Sequence, residues 1–243
     1  MNPEFHSGPM NPEANPENIS LEAGKEAETR KHIQIIRAIG DDLSKMIKEY
    51  SNSGVDKFEA RRPVAAKLFR EQLINKYPDY QIYVAALTDY FQTGSEWQLL
   101  TVHLLIDHKD EPKVMDAFWE TLRGCATLVQ SKKALAPLKR GVVIHAAAAQ
   151  IFDKLGYKIR LATPTEDMSN ELREGCDLFA GDIPVQVKSK VDMTEPKLIR
   201  YPYLGSNNGL KITMGYNEMN TSTGAPSEKL VDEIKFKLDN LEK

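Results

Sequence analysis

The sequence predicts an α/β protein: a mixed sheet core flanked by helices, preceded by a helix-rich N-terminal region that contains a β-hairpin. Three observations carry this expectation. Apolar residues recur at helical spacing from Ile33 to Tyr50, from Pro63 to Tyr77, from Val142 to Leu155 and from Leu230 to Leu241. Ile183, Val185 and Val187 instead alternate with Pro184, Gln186 and Lys188, which is the period of a strand with one buried face. Between two such strand-like runs stands Gly181-Asp182, a two-residue turn in which Gly supplies the positive φ that a type II′ hairpin needs.

In chain order, residues 1–20 read as a tag remnant and disordered tail. Met1-Asn2-Pro3-Glu4 recurs at Met10-Asn11-Pro12-Glu13, and the segment is rich in Pro, Asn and Glu. A helical and hairpin region follows over 21–130. Its first helix ends near Ser51-Asn52-Ser53-Gly54, its second starts near Pro63, and Pro112 opens a third with Val114, Phe118, Leu122, Cys125 and Leu128 inward. Residues 81–87 and 97–106 read as the two strands of a hairpin joined through Thr93-Gly94-Ser95. From 131 to 243 the pattern is that of a separate core. A connector stopped by Pro137 leads into the helix from Val142 to Leu155, then a strand near Gly156–Leu161 and the Gly181 hairpin. A turn-rich loop at 201–209, a strand from Leu210 to Tyr216, a polar loop at 219–226 and a closing helix complete it.

Composition limits the function classes. With 243 residues and 41% hydrophobic content the chain can bury a sizeable core. No apolar run approaches a membrane span and no leader pattern opens the chain, so an intracellular protein is expected. Cys125 and Cys176 have no metal-type spacing and imply neither a disulfide framework nor a zinc ribbon. The net charge of −3 argues against indiscriminate coating of nucleic acid. Yet 132–211 holds 13 Lys/Arg against 9 Asp/Glu, which allows a local basic surface as well as a merely solvated face. No Gly-rich phosphate loop is visible.

The hairpin gathers the chemistry. Counting outward from Gly181-Asp182, Ala180 flanks Ile183, Phe179 faces Pro184, Leu178 faces Val185, and Asp177 lies opposite Gln186. Directly opposed Cβ atoms are about 5 Å apart and the diagonal neighbour, here Lys188 against Asp177, is at roughly 7 Å. One cation can therefore touch Asp177 and Gln186 with Lys188 beside it.

Asp177 … Gln186-Val187-Lys188, preceded by an amphipathic helix and a Leu155-Gly156-Tyr157 connection into a strand, resembles the PD-(D/E)XK nuclease superfamily. The likeness covers 141–190 and is nearest the Mrr-like branch, in which a Gln commonly replaces the second acid. The resemblance implies a restriction-endonuclease-like core and Mg²⁺ or Mn²⁺ held by Asp177, Gln186 and the backbone carbonyl of Val187. It assigns Lys188 to positioning or activating the attacking water. Asp177 is preceded by Cys176 rather than Pro, Gln186 adds no charge, and His145 stands where a helix-borne Glu is often found. One carboxylate and an amide make a weak site for a hard ion. His145 can complete it and favour Mn²⁺, or it can be a half-buried histidine bonded to a strand. Glu166, Asp167, Glu171 and Glu174 can supply a carboxylate or form a solvated loop.

Lys132, Lys133, Lys139, Arg140 and Lys190 flank these residues as candidate phosphate contacts; a solvated linker gives the same composition. Tyr201 and Tyr203 can stack on bases or pack the loop on the sheet. The expectation is a metal-dependent hydrolase of phosphodiester bonds acting on nucleic acid, DNA before RNA, with no membrane. A homodimer or protein partner would dock on the C-terminal helix. The alternative is a catalytically inactive module on the same fold that binds nucleic acid or assembles with protein.

Overall fold

The computed structural model describes residues 16–54, 63–91, 95–128, 132–167, 175–204 and 206–241. Among these, five helices come first: α1 (Pro16–Asn52), α2 (Pro63–Lys76), α3 (Gln81–Asp89), α4 (Ser95–Asp107) and α5 (Pro112–Leu128). A long α6 (Lys132–Lys154) leads into β1 (Ile159–Leu161), a one-turn α7 (Pro164–Asp167), β2 (Leu178–Ala180), β3 (Ile183–Ser189), β4 (Lys197–Tyr203), β5 (Ser206–Met214) and α8 (Glu228–Leu241). The protein is thus mixed α/β, with eight α-helices and a five-stranded open sheet among the described residues. None of these helices is long and apolar enough to cross a membrane. The tail expected over 1–20 lies mostly outside the described residues, although α1 already begins at Pro16.

The helical half builds one core. Ile36, Ile39, Leu43 and Ile47 recur on one face of α1, are fully buried, and share a cluster with Leu73, Leu87, Phe118 and Leu122 of α2, α3 and α5. The expected hairpin at 81–106 is absent; both segments are helices. Their runs, Ile82 to Thr88 and Trp97 to Ile106, are apolar on nearly all sides, and seven of the nine residues of α3 are buried. A short run buried all round carries no periodicity that separates helix from strand, so packing between neighbouring helices decides it.

The connector expected at 131–140 is also helical. α6 starts at Lys132 and runs through Pro137, whose missing N–H costs the bond it would have made to the carbonyl of residue 133. That loss falls in the second turn, and the remaining length of α6 is packed. Leu135, Val142, Val143 and Ala146 join the helical core, while Ile144, Ala147, Ala148, Ile151 and Phe152 join a second core on the sheet.

The sheet order is β1-β2-β3-β5-β4. β2 and β3 form the predicted hairpin in the predicted register, Leu178 with Val185, Phe179 with Pro184 and Ala180 with Ile183, around Gly181 at φ 60°. β3 pairs in parallel with β5, and β4 returns antiparallel to β5. The turn-rich loop expected at 201–209 is instead the tip of this second hairpin. Tyr203 pairs with Ser206, Leu204 takes φ 49° in the turn, and Pro202 is accommodated because β4 is an edge strand. Val185, Val187, Leu198, Leu210 and Ile212 face α6 and α8, so both helices cover the same side of the sheet.

Candidate functional site

The site forms where β2 and β3 run out of mutual pairing. Leu178 and Val185 are the last regular pair; beyond them the backbone N–H of Asp177 still donates to the carbonyl of Val185 at 2.8 Å. The next rung is closed by a side chain, since the N–H of Val187 donates to Oδ2 of Asp177 at 2.5 Å. Asp177 is thereby fixed at the end of the hairpin with Oδ1 still to be satisfied. In a strand the N–H and C=O of one residue point to the same edge, so the carbonyl of Val187 also faces the β2 side of β3.

His145, on α6, supplies a neighbour. Its Nε2 lies 3.5 Å from Oδ1 of Asp177, and its Nδ1 lies 2.7 Å from Nε2 of Gln98 on α4. Both His145 and Asp177 are largely withdrawn from solvent, with 15% and 9% of their side-chain surfaces exposed. Gln98 sets the tautomer. With its amide nitrogen toward Nδ1, the ring carries its proton on Nε2, the nitrogen that faces Asp177. With the amide turned over, Nδ1–H donates to the amide oxygen and Nε2 presents a lone pair to an ion. Sequence reasoning missed Gln98 because α4 had the composition of a strand.

Asp167 completes the group. It ends α7, hydrogen-bonds to Asp177, and has its carboxyl pushed above the usual carboxylate range, chiefly by burial and then by the charge of Asp177. His145 and Lys188 pull it the other way, which places both within electrostatic reach. Asp167 is delivered by a local signal that sequence reasoning passed over. Thr163-Pro164-Thr165-Glu166 spells a capping box with Pro at the first helical position. Glu166 accepts from the N–H and hydroxyl of Thr163 at 2.8 and 2.9 Å. It also takes two bonds from Arg160 at 2.8 and 2.9 Å, which hold its carboxyl down at about 2. Glu166 is therefore committed to structure, and its neighbour is turned to the site. Glu171 and Glu174 lie outside the described residues.

Gln186 is buried, and its Nε2 donates to the carbonyl of Gly175 at 3.1 Å, a carbonyl that also accepts from the hydroxyl of Tyr201. Its Oε1 is buried and has no hydrogen-bond partner. Lys188 and Lys190 are exposed at the end of β3. Cys176 is fully buried, with its thiol pushed up to about 11 by burial.

The flanking cations are not gathered in the same way. The ammonium of Lys139 sits 4.9 Å above the Trp119 ring, with its pKa lowered by burial against the pull of Asp116. The Arg140 guanidinium lies 5.9 Å over Tyr216. The side chains of Lys132 and Lys133 lie outside what is described. Tyr201 and Tyr203 are buried against Cys176 and Phe179, the packing alternative for these rings. His108, just past the end of α4, is bonded to Glu111 and to the Tyr83 hydroxyl, each at 2.5 Å.

Gln98, Val102, His145, Leu161, Asp167 and Asp177 line a cavity of about 30 Å³, room for one or two waters or an ion. Among the described residues no group of three or more His, Cys, Asp or Glu side chains is placed as a ready-made metal cage. Two contacting carboxylates short of solvent suit an ion held by one or two carboxylates and otherwise by water and substrate phosphate, while Gln186, tied to Gly175, is not among the residues lining this cavity. Comparison with family models, with curated proteins and with solved structures finds no match to this chain.

Proposed function

We propose that the protein is a divalent-metal-dependent nuclease of the PD-(D/E)XK type, with a restriction-endonuclease-like core formed by α6 and the sheet. The observation that carries this is the meeting of Asp177, Asp167 and His145 at one end of the β2–β3 hairpin, with Lys188 in electrostatic reach. Asp177 and Asp167 would hold Mg²⁺ or Mn²⁺ with the Val187 carbonyl; Gln186 Oε1 and, in its Nδ1–H tautomer, His145 are further donors. Such an ion supplies polarisation of a phosphoryl oxygen and a water of lowered pKa.

The chain's own groups do the rest. Asp177 is oriented by the Val187 N–H. Asp167, whose carboxyl must ionise before it can hold the ion, would tie ion binding to rising pH. The Lys188 ammonium opposes the charge that builds on the phosphoryl oxygens as a water attacks in line, leaving a 5′-phosphate and a 3′-hydroxyl. The walls supplied by Val102, Leu161 and Leu178 keep bulk water out.

The second reading is a catalytically inactive module on this fold that binds nucleic acid or assembles with protein. It is favoured by the tie of Gln186 to Gly175 and by the absence of a three-ligand cage among the described residues. Incubation of single- and double-stranded DNA and RNA with the protein under Mg²⁺, Mn²⁺ and chelator decides. Metal-dependent cleavage lost in Asp177→Asn supports the nuclease; no cleavage of any substrate with either ion leaves the module.

A further inference from the structure

Beside the site cavity runs a second, larger concavity between α4, α6 and the edge strand β1. It measures about 650 Å³, within the range of about 300–1,000 Å³ in which proteins hold small organic ligands. Leu99, Leu161 and Ala162 line both spaces, so the groove opens directly onto the residues around Asp177. Its floor is apolar, made by Leu99, Ile106, Ala149, Ile159 and Leu161. Its rim carries exposed His103, Lys109 and Lys158. Arg160 also borders it, but its guanidinium is committed to Glu166. Asp153 is the one carboxylate among its lining residues, so the rim is net cationic although the whole chain is net anionic.

We propose that this groove holds an unpaired nucleotide of a single-stranded nucleic acid, with the base on the apolar floor and the flanking phosphates at Lys109 and Lys158. The volume admits a base and sugar but not the cross-section of a duplex. Every base has a π face that an apolar floor accepts without reading sequence, while the two ammonium groups track the backbone. Continuity with the site would deliver the neighbouring phosphate to Asp177 and Lys188. The nuclease reading is needed only for that last step; occupancy of the groove stands without it.

The experiment is binding in chelator, where cleavage cannot intervene, of a fluorescein-labelled 8-mer of single-stranded DNA and of its duplex. The parent should prefer the single strand. Lys109→Glu and Lys158→Glu should each weaken it by about tenfold and flatten the dependence of log Kd on log salt by about 0.7 for each phosphate no longer neutralised. His103→Trp, an exposed position, should obstruct the floor and weaken binding without changing that slope. Equal or better binding of the duplex, or variants that bind like the parent, overturns the proposal. So does a parent that binds neither probe, which would leave the open edge of β1 to an extended peptide. Single-strand binding with this pattern in a protein that cleaves nothing under Mg²⁺ or Mn²⁺ retains the groove and removes the nuclease.

Discussion

Glu166 and Asp167 are adjacent in sequence yet are displaced from normal carboxylate behaviour in opposite directions. Arg160 and the Thr163 cap lower the first to about 2, while burial and the charge of Asp177 raise the second. A one-residue step within a single turn of helix separates a structural acid from an acid of the candidate site.

For Glu166 the sign follows from its depressed value. Its contribution is complete above the unfolded value near 4.5 and is lost as pH falls toward 2. Glu166→Gln should lower the melting temperature at pH 7 by the equivalent of about 1 kcal/mol, the scale of a lost cap. The gap between variant and parent should close as thermal melts are taken from pH 5 down to pH 2.

Asp167 behaves in reverse. A carboxyl raised in the folded state favours folding only while protonated, so its ionisation costs stability as pH rises from 3.8 through the raised value. In chelator, Asp167→Asn should melt higher than the parent at pH 7 and no higher at pH 3. The same variant should bind Mn²⁺ more weakly by calorimetry, a site acid whose removal helps the fold and harms the function.

Asp177→Asn is a better test of the reaction than Asp177→Ala, because the amide oxygen can still accept from the N–H of Val187. Cleavage should fall by a factor of about 10² or more while the melting temperature changes little. Asp177→Ala should lose the same activity and in addition destabilise by about 1–3 kcal/mol through the orphaned N–H.

Lys188 is exposed, so Lys188→Met should leave the melting temperature within a degree or two of the parent. A fall in rate of about 10²-fold or more with unchanged metal affinity is expected of a charge stabiliser. A full rate would transfer the role to Lys190.

Gln186→Glu would introduce the acid usual in the superfamily that the hairpin resembles, but here it deletes the donor to Gly175 and buries a charge. In chelator it should lower stability by about 1–3 kcal/mol. Added Mn²⁺ should recover part of that loss in thermal melts if the new carboxylate takes the ion.

The hairpin was legible to the residue because turn chemistry, alternation and register are all local: Gly181 supplies the turn and Leu178 meets Val185 as counted. The reach of α6 back to Lys132 was not, because Pro137 is a strong local stop that only packing on both sides overrides. α3 reads as a strand because a run buried all round has no period, and α4 because its apolar residues crowd out a clear stripe although His103 is exposed. Gln98, which sits on α4, was invisible for that reason. Asp167 stands among four acids in the sequence, and the capping role of Glu166 sets that one apart from it. Nothing in the sequence near Lys139 foretells that it packs on Trp119, a partner twenty residues earlier on another helix.

α6 is the only described element with fully buried side chains in both cores, Val143 in one and Ile144 and Ile151 in the other. Its backbone can open only when both cores open together. Its amide hydrogens around His145 should therefore exchange with solvent at the rate of global unfolding, slower than those of β1 at the sheet edge. The imidazole is thus mounted on the one described helix that both cores hold, while Asp177 and Lys188 stand at strand ends.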